Sequence, residues 1–322
     1  MPNPLIRSMA TLGALLATTL VLASCSSGTG PVRDSREALG TVVSLTAYGP
    51  DDEAIRTAAD AAYAAMEVVE SDLNAHDPDS AIGRVNAGGD PFAALPPRAE
   101  TVLDAICVLD VRPWFSPQLW TATRAWGFEE GGRVPTPSEL DDALADYRYD
   151  FGGASKGLAL DEAAGALRAD GAVEAALISS GSTTLTFGTK PDDEAWRIGV
   201  EDPRDPEGII ASVEADGSVT VSTSGDYQRF FEIDGVRYHH ILDPTTGLPA
   251  RGLRSLTVVG DIPALYSDIL STALFVAGPD AAIAYAEEYR LGLVIVDEEG
   301  RTRIVPGPEG ASWRVDGVTD DD

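Results

Sequence analysis

Histidine, lysine and cysteine are nearly missing from this chain: 322 residues hold three His, two Lys (Lys156 and Lys190) and two Cys. So few nitrogen and sulfur ligands exclude a zinc centre. Basic residues as a class are scarce, 23 Lys and Arg against 52 Asp and Glu, giving a formal net charge of −29. That balance opposes the phosphates of nucleic acid and anionic lipid surfaces, so neither is an expected partner through charge. The longest apolar run, Met9 to Ala23, is too short to span a bilayer comfortably. No H-R-D triplet accompanies Asp150-Phe151-Gly152, which excludes a protein kinase, and no P-loop or dinucleotide fingerprint is present.

The N-terminus has the form of a lipoprotein leader. Arg7 supplies a positive start, the apolar run follows, and Leu22-Ala23-Ser24 precedes Cys25. Cleavage after Ser24 would free Cys25 for lipidation and hold the protein on the outer face of the cytoplasmic membrane. Residues 1–24 carry one charge, Arg7, so the remainder carries −30. Residues 25–33 read as a flexible Ser/Gly tether, 34–306 as one domain, and 307–322 as a polar acidic tail, disordered at its end. Cys107 lies in the apolar run Val102, Leu103, Ile106 and is expected to be a buried free thiol.

The coarse pattern is α+β. Gly40 to Gly49 alternates as a strand with Val43, Leu45 and Ala47 inward, and a helix follows with Ile55, Ala59, Ala62, Met66, Val69 and Leu73 on one side. Thr136-Pro137-Ser138-Glu139 is a capping box, starting a helix that runs to about Ala145. Residues 114–133 read as loop. Strands are expected near 175–180, 196–200, 219–223 and 253–259, with a hairpin about Asp234-Gly235. After Pro263 come helices to Ala277 and over 280–289, then a hairpin over 291–305.

Three constellations carry candidate chemistry. His239 and His240 end the return strand of the hairpin; alternation sends them to opposite faces, so only one can enter a given site, and an incidental exposed pair is the alternative. Asp150 to Gly157 is a Gly-rich turn opening a helix, either a plain turn or an anion site in which Lys156 adds charge. Asp268 and Thr272 lie four apart on one helix face, a carboxylate and a hydroxyl suited to a hard cation such as Mg²⁺.

Together these segments resemble the FAD:protein FMN transferases, the ApbE-type flavin transferases. The likeness runs in order through Gly40-Thr41, Asp79-Ser80 to Arg84-Val85-Asn86, Trp126-Gly127-Phe128, Asp150 to Asp161, Thr223 to Tyr227, Tyr238 to Gly247, and Asp268 to Phe275. It implies largely antiparallel sheets with packed helices in two intimately joined subdomains. It implies transfer of FMN from FAD to a Thr or Ser hydroxyl of an acceptor protein, with release of AMP. By resemblance Asp268, Thr272 and the Gly153 carbonyl would bind Mg²⁺; Leu39, His76, Trp114, Phe115, Ser116, Asp150 and Lys156 would contact FAD; His240 would be the base. The sequence departs from the family at His76, often Tyr, at Ser116, commonly Asp, and at Ser180-Gly181-Ser182, usually Gly-Gly. A Mg²⁺-dependent FAD pyrophosphatase and a non-catalytic flavin-binding lipoprotein share most of these features.

Overall fold

In the computed structural model, residues 30–88 and 94–317 are described. The leader, Cys25, most of the tether and the last five residues of the tail lie outside them. In chain order the elements are β1 (Val32–Ala38), β2 (Thr41–Tyr48), α1 (Asp52–Leu73), α2 (Ala81–Gly88), α3 (Pro97–Val108), α4 (Trp120–Trp126), α5 (Pro137–Leu144), α6 (Ser155–Arg168), β3 (Ala175–Ser179), β4 (Thr183–Phe187), β5 (Trp196–Asp202), β6 (Asp205–Ala215), β7 (Val219–Gly225), β8 (Phe230–Ile233), β9 (Val236–His239), β10 (Leu253–Gly260), α7 (Ala264–Ala277), α8 (Pro279–Tyr289), β11 (Gly292–Asp297), β12 (Thr302–Val305) and β13 (Trp313–Gly317). Among the described residues no helix is long and apolar enough to cross a membrane.

An eight-stranded sheet, β1-β2-β3-β4-β7-β10-β11-β12, organises the chain, and every neighbouring pair in it is antiparallel. Alternation along its strands assigns two cores. On β11, Leu293 and Ile295 join α1, α6 and α7 in the larger core, while Val294 faces the three-stranded sheet β13-β6-β5 with Val219 and Val221 of β7. The result is a helical layer, a central sheet and a small second sheet. A third cluster, Trp126, Leu140 and Leu242 with Phe128, Phe231 and Tyr238 packed against it, fastens α4 and α5 to the β8–β9 hairpin.

The expected elements form for the expected reasons. Asp51 caps α1 by accepting from Glu53 and Ala54, and all six residues of the apolar stripe are buried. Both halves of the capping box at Thr136 and Glu139 form. The hairpin turns at Asp234 and Gly235, with φ of 52° and 78°.

Four expectations need correction. The first strand, β1, begins at Val32, inside the expected tether; only Val32 of its seven residues is buried, so this edge strand carries no apolar pattern. Residues 114–133 contain α4, whose Trp126 is fully buried. Cys107 is exposed, because α3 buries the face of Val102, Ala105 and Ile106 and turns Cys107 away with Val108. The tail is structured through Gly317: β13 pairs with β6, seating Trp313 opposite Ala215 at 7% exposure.

Trp313→Ala is therefore expected to cost about 3–5 kcal/mol, the range for an emptied aromatic core site. Urea unfolding measures it; a loss below about 1 kcal/mol would show that the tail is dispensable to the fold.

Candidate functional site

The site grows from one close helix contact. Gly157, in the first turn of α6, lies so near α7 that a Cβ built on it would collide with the Ala264 carbonyl and come within 2.8 Å of the Asp268 Cβ. At that approach the Gly157 N–H donates to Asp268 Oδ2 at 2.9 Å. One helical turn further along α6, Asp161 accepts from the amides of Ala264 and Leu265, both at 2.9 Å, and so caps α7, whose own cap residue, Pro263, offers no side-chain acceptor. Two carboxylates thus lock the helices in register.

The sheet completes the surroundings of Asp268. Thr183 of β4 donates to its Oδ1 at 3.3 Å. Thr183 also bonds Ser222 at 2.9 Å, and Ser224 bonds both Ser271 and Thr272 at 3.0 Å. Because β7 alternates, Ser222 and Ser224 face α7 while Val219 and Val221 face the small sheet. Burial pushes the Asp268 carboxyl above its ordinary range, opposed by Lys156 and by these donors.

Gly153 stands beside this network. A Cβ there would lie 3.0 Å from the Phe115 ring and 3.6 Å from Thr272 Oγ1, so its backbone adjoins the threonine hydroxyl. Among the described residues no three His, Cys, Asp or Glu side chains gather as a metal-binding group. The local oxygen groups are the Asp268 carboxylate and the hydroxyls of Thr183, Ser222, Ser224, Ser271 and Thr272, with the Gly153 backbone beside the last. An all-oxygen set with a single buried carboxylate fits a hard cation that completes its shell with substrate phosphate and water.

Two lobes open from this point. The first is lined by Trp114, Phe115, Ser116, Gly153, His240, Asp268 and Thr272. The second, roomier lobe is lined by Leu39 and His76 among others. Asp150, Gly152, Lys156, Ser182, Gln228 and Arg229 line both and form the waist. All the residues expected to meet nucleotide, cation and acceptor therefore share one cleft, with Cys25 outside the described residues. Leu39 is placed by a turn in which it and Gly40 both take positive φ, 57° and 67°, and by its N–H to Glu70 at 3.1 Å. Asp150 is fixed through Asn86, whose amide group bonds the backbone N and O of Tyr149, each at 2.8 Å.

The two histidines have separate duties. His239 is buried and bonds the Ala250 carbonyl through Nε2 at 2.8 Å, and burial lowers its pKa; it ties the hairpin to the following loop. His240 is half-buried, and its Nδ1 lies 3.3 Å from the Arg229 carbonyl. A carbonyl only accepts, so Nδ1 carries the proton and Nε2 is the basic nitrogen. Burial first, then the Arg229 charge, holds the His240 pKa well below the ordinary histidine value.

Residues that sequence reasoning passed over also line the waist. Arg229 and Gln228 follow the Thr223–Tyr227 segment, and only the scarcity of basic residues in an acidic chain could have drawn attention to the arginine. Ser182 replaces a glycine of the resembled pattern; the residue lines both lobes, and its buried Oγ has no hydrogen-bond partner. Other matched motifs are structural. Asp226 is held by a bidentate Arg204 pair, both contacts at 2.7 Å, and Trp126 Nε1 donates to the Gly247 carbonyl at 2.8 Å.

Gly157→Ala is expected to destabilise the protein by about 1–3 kcal/mol, the cost of overpacking a tight contact, and to weaken nucleotide binding in parallel. Thermal unfolding and FAD titration check this; unchanged values in both would show that the helices have room to part.

Comparison with known proteins places these features. Residues 39–295 match the ApbE family. The FAD:protein FMN transferase of Vibrio cholerae is 27% identical over 316 residues, spanning 87% of this chain and 92% of that protein. That of Treponema pallidum is 28% identical over 321 residues, spanning 86% and 88%. The crystal structure of the ApbE protein of Thermotoga maritima superposes with a TM-score of 0.75 at 30% identity, covering 85% of this chain and 96% of that one. The flavin transferase ApbE from Vibrio cholerae gives 0.72 at 25%, with the same coverage. A match of this extent, over the elements that build the cleft, shows that this chain belongs to the ApbE family.

Proposed function

We propose that this protein is an FAD:protein FMN transferase that moves FMN from FAD to a Thr or Ser hydroxyl of an acceptor protein and releases AMP. The observation that carries this reading is the convergence of Lys156, the Asp268–Thr272 pair and His240 on one two-lobed cleft. The two lobes suit the two halves of a dinucleotide, and the waist suits its pyrophosphate. There Lys156 and Arg229 would meet anionic oxygens in a protein otherwise repellent to them.

Gly153, Asp268 and Thr272 would hold Mg²⁺, which when bound supplies neutralising charge to the pyrophosphate and the departing AMP. The protein's own groups do the rest. Trp114, Phe115 and Ser116 line one lobe, Leu39 and His76 the other, and both exclude water from the ligand. His240, neutral at physiological pH, takes the acceptor proton on Nε2 as the hydroxyl oxygen bonds to the FMN phosphorus and the pyrophosphate bond to AMP breaks. Cys25, lipidated after cleavage of the leader, would anchor the enzyme to the outer face of the cytoplasmic membrane. The net charge of the chain opposes attachment to anionic lipid by charge alone.

Incubation with FAD, Mg²⁺ and a candidate acceptor is expected to leave flavin fluorescence on the denatured acceptor and stoichiometric AMP in solution. Free FMN with an unlabelled acceptor would instead establish hydrolysis, and no AMP at all would establish binding alone. His240→Ala is expected to keep FAD affinity and slow transfer by about 10²–10⁴-fold, while Asp268→Ala abolishes Mg²⁺-dependent AMP release. The lowered pKa keeps His240 unprotonated as pH falls through 6.5, so the acid limb of kcat/KM is expected below that value; a midpoint above 6.5 would remove His240 as the base. Cys25→Ser is expected to shift the protein from the membrane to the soluble fraction, read by fractionation of cells. Unchanged membrane association would contradict the anchor.

A further inference from the structure

A third space meets the cleft at His240. It is a narrow opening, and Arg124, Gly127, Phe128 and Glu130 line it without lining either lobe. His240 borders the first lobe and this opening but not the second lobe, and Arg229 borders all three. We propose that this opening is the port through which the acceptor protein presents its hydroxyl to His240. The inference rests on the transferase reading.

Three observations support it. A dinucleotide occupying both lobes, with its pyrophosphate at the waist, closes the main cleft to a second substrate, so the nucleophile needs its own route. In-line displacement at phosphorus also places the attacking oxygen opposite the leaving one, and the base that serves it must stand away from the leaving side. His240 is so placed, between the lobe holding Asp268 and Thr272 and a separate opening to solvent. Lastly, the rim is built to be rigid on one side and yielding on the other. Phe128 stacks on Trp126 with ring centroids 6.0 Å apart, fixing one wall. Arg124 and Glu130 close the other with a 2.8 Å ion pair whose side chains are about half exposed, a kind of pair worth little to stability. Glu129 reaches His76 at 3.4 Å and Arg229 at 3.5 Å and so divides the port from the second lobe.

The port is narrow, edged by Arg124, Phe128, Glu130 and Arg229, and it excludes a packed helix or sheet face. The partner is therefore a protein that displays its Thr or Ser on a protruding turn or free terminus. In the transfer the hydroxyl oxygen bonds to the FMN phosphorus, the bond from that phosphorus to the bridging oxygen breaks, AMP departs with that oxygen, and the hydroxyl proton passes to His240 and then to solvent.

Filling the port without touching the cleft tests this. Glu130→Trp, at an exposed rim position outside both lobes, is compared with Glu130→Gln, which breaks the ion pair but leaves the port open. The full-length protein with FAD and Mg²⁺ is given a threonine-containing peptide library, and flavin on the peptides is read by fluorescence and mass. Glu130→Trp is expected to lower transfer at least tenfold while FAD affinity, read by quenching of flavin fluorescence, stays within twofold; Glu130→Gln is expected to transfer normally. Undiminished transfer by Glu130→Trp, or a parallel loss of FAD affinity, would overturn the port. Loss of transfer in Glu130→Gln alongside it would reduce the effect to the ion pair and overturn the port as well. Failure of the unaltered protein to label any peptide or protein acceptor would defeat the transferase reading itself, and the port with it.

Discussion

The hydrogen bond from the Gly157 amide to Asp268 is the contact on which the rest of the site depends. It requires α6 and α7 to approach until no side chain fits between them, and only glycine permits that. Once the helices are there, Asp161 caps α7, Asp268 is buried against the sheet, and the turn ahead of α6 and the first turn of α6 deliver Gly153 and Lys156 to the same end of the cleft. A buried carboxylate is costly unless it is paired or hydrogen-bonded. Here an amide, a threonine hydroxyl and a nearby ammonium share the task, leaving the group poised to gain from a cation.

Charge is distributed on two scales. At long range the chain is strongly anionic, which favours solubility and opposes polyanions. Within the cleft, Lys156 and Arg229 stand at the waist together with Asp150. The Arg229 charge also reaches His240, whose imidazole it helps keep neutral while its carbonyl fixes the tautomer. A single residue therefore lines the waist and bears on the protonation state of His240.

The long apolar helices were legible because their stripes repeat at helical spacing and bury what they promise, as from Ile55 to Leu73. The Asp268–Thr272 spacing and the alternation separating His239 from His240 were legible for the same geometric reason. What escaped reading has a physical cause in each case. The strand Thr183–Phe187 is wholly buried yet rich in hydroxyls, because Thr183 bonds Asp268, Thr184 bonds Ser179 and Thr186 bonds the Gly217 carbonyl. Strand Asp205–Ala215 opens with exposed polar residues and turns inward only from Ala211. Trp313 looked like part of an acidic tail, since the partner that buries it lies about a hundred residues earlier. The cap of α7 by Asp161 and the orphaned hydroxyl of Ser182 exist only in three dimensions. Cys107 misled because an apolar run names a helix more reliably than it names the buried face.

The central claim is that the α6–α7 contact builds a cation site around Asp268, and thermal unfolding in the presence of FAD tests it most directly. Ligand bound only by the folded state adds about 2.7 kcal/mol at a concentration one hundred times its Kd. The melting temperature of the unaltered protein should rise as Mg²⁺ is added, and that of Asp268→Asn, which keeps the shape and loses the charge, should not. An equal rise in both, or none in the unaltered protein, would contradict the account.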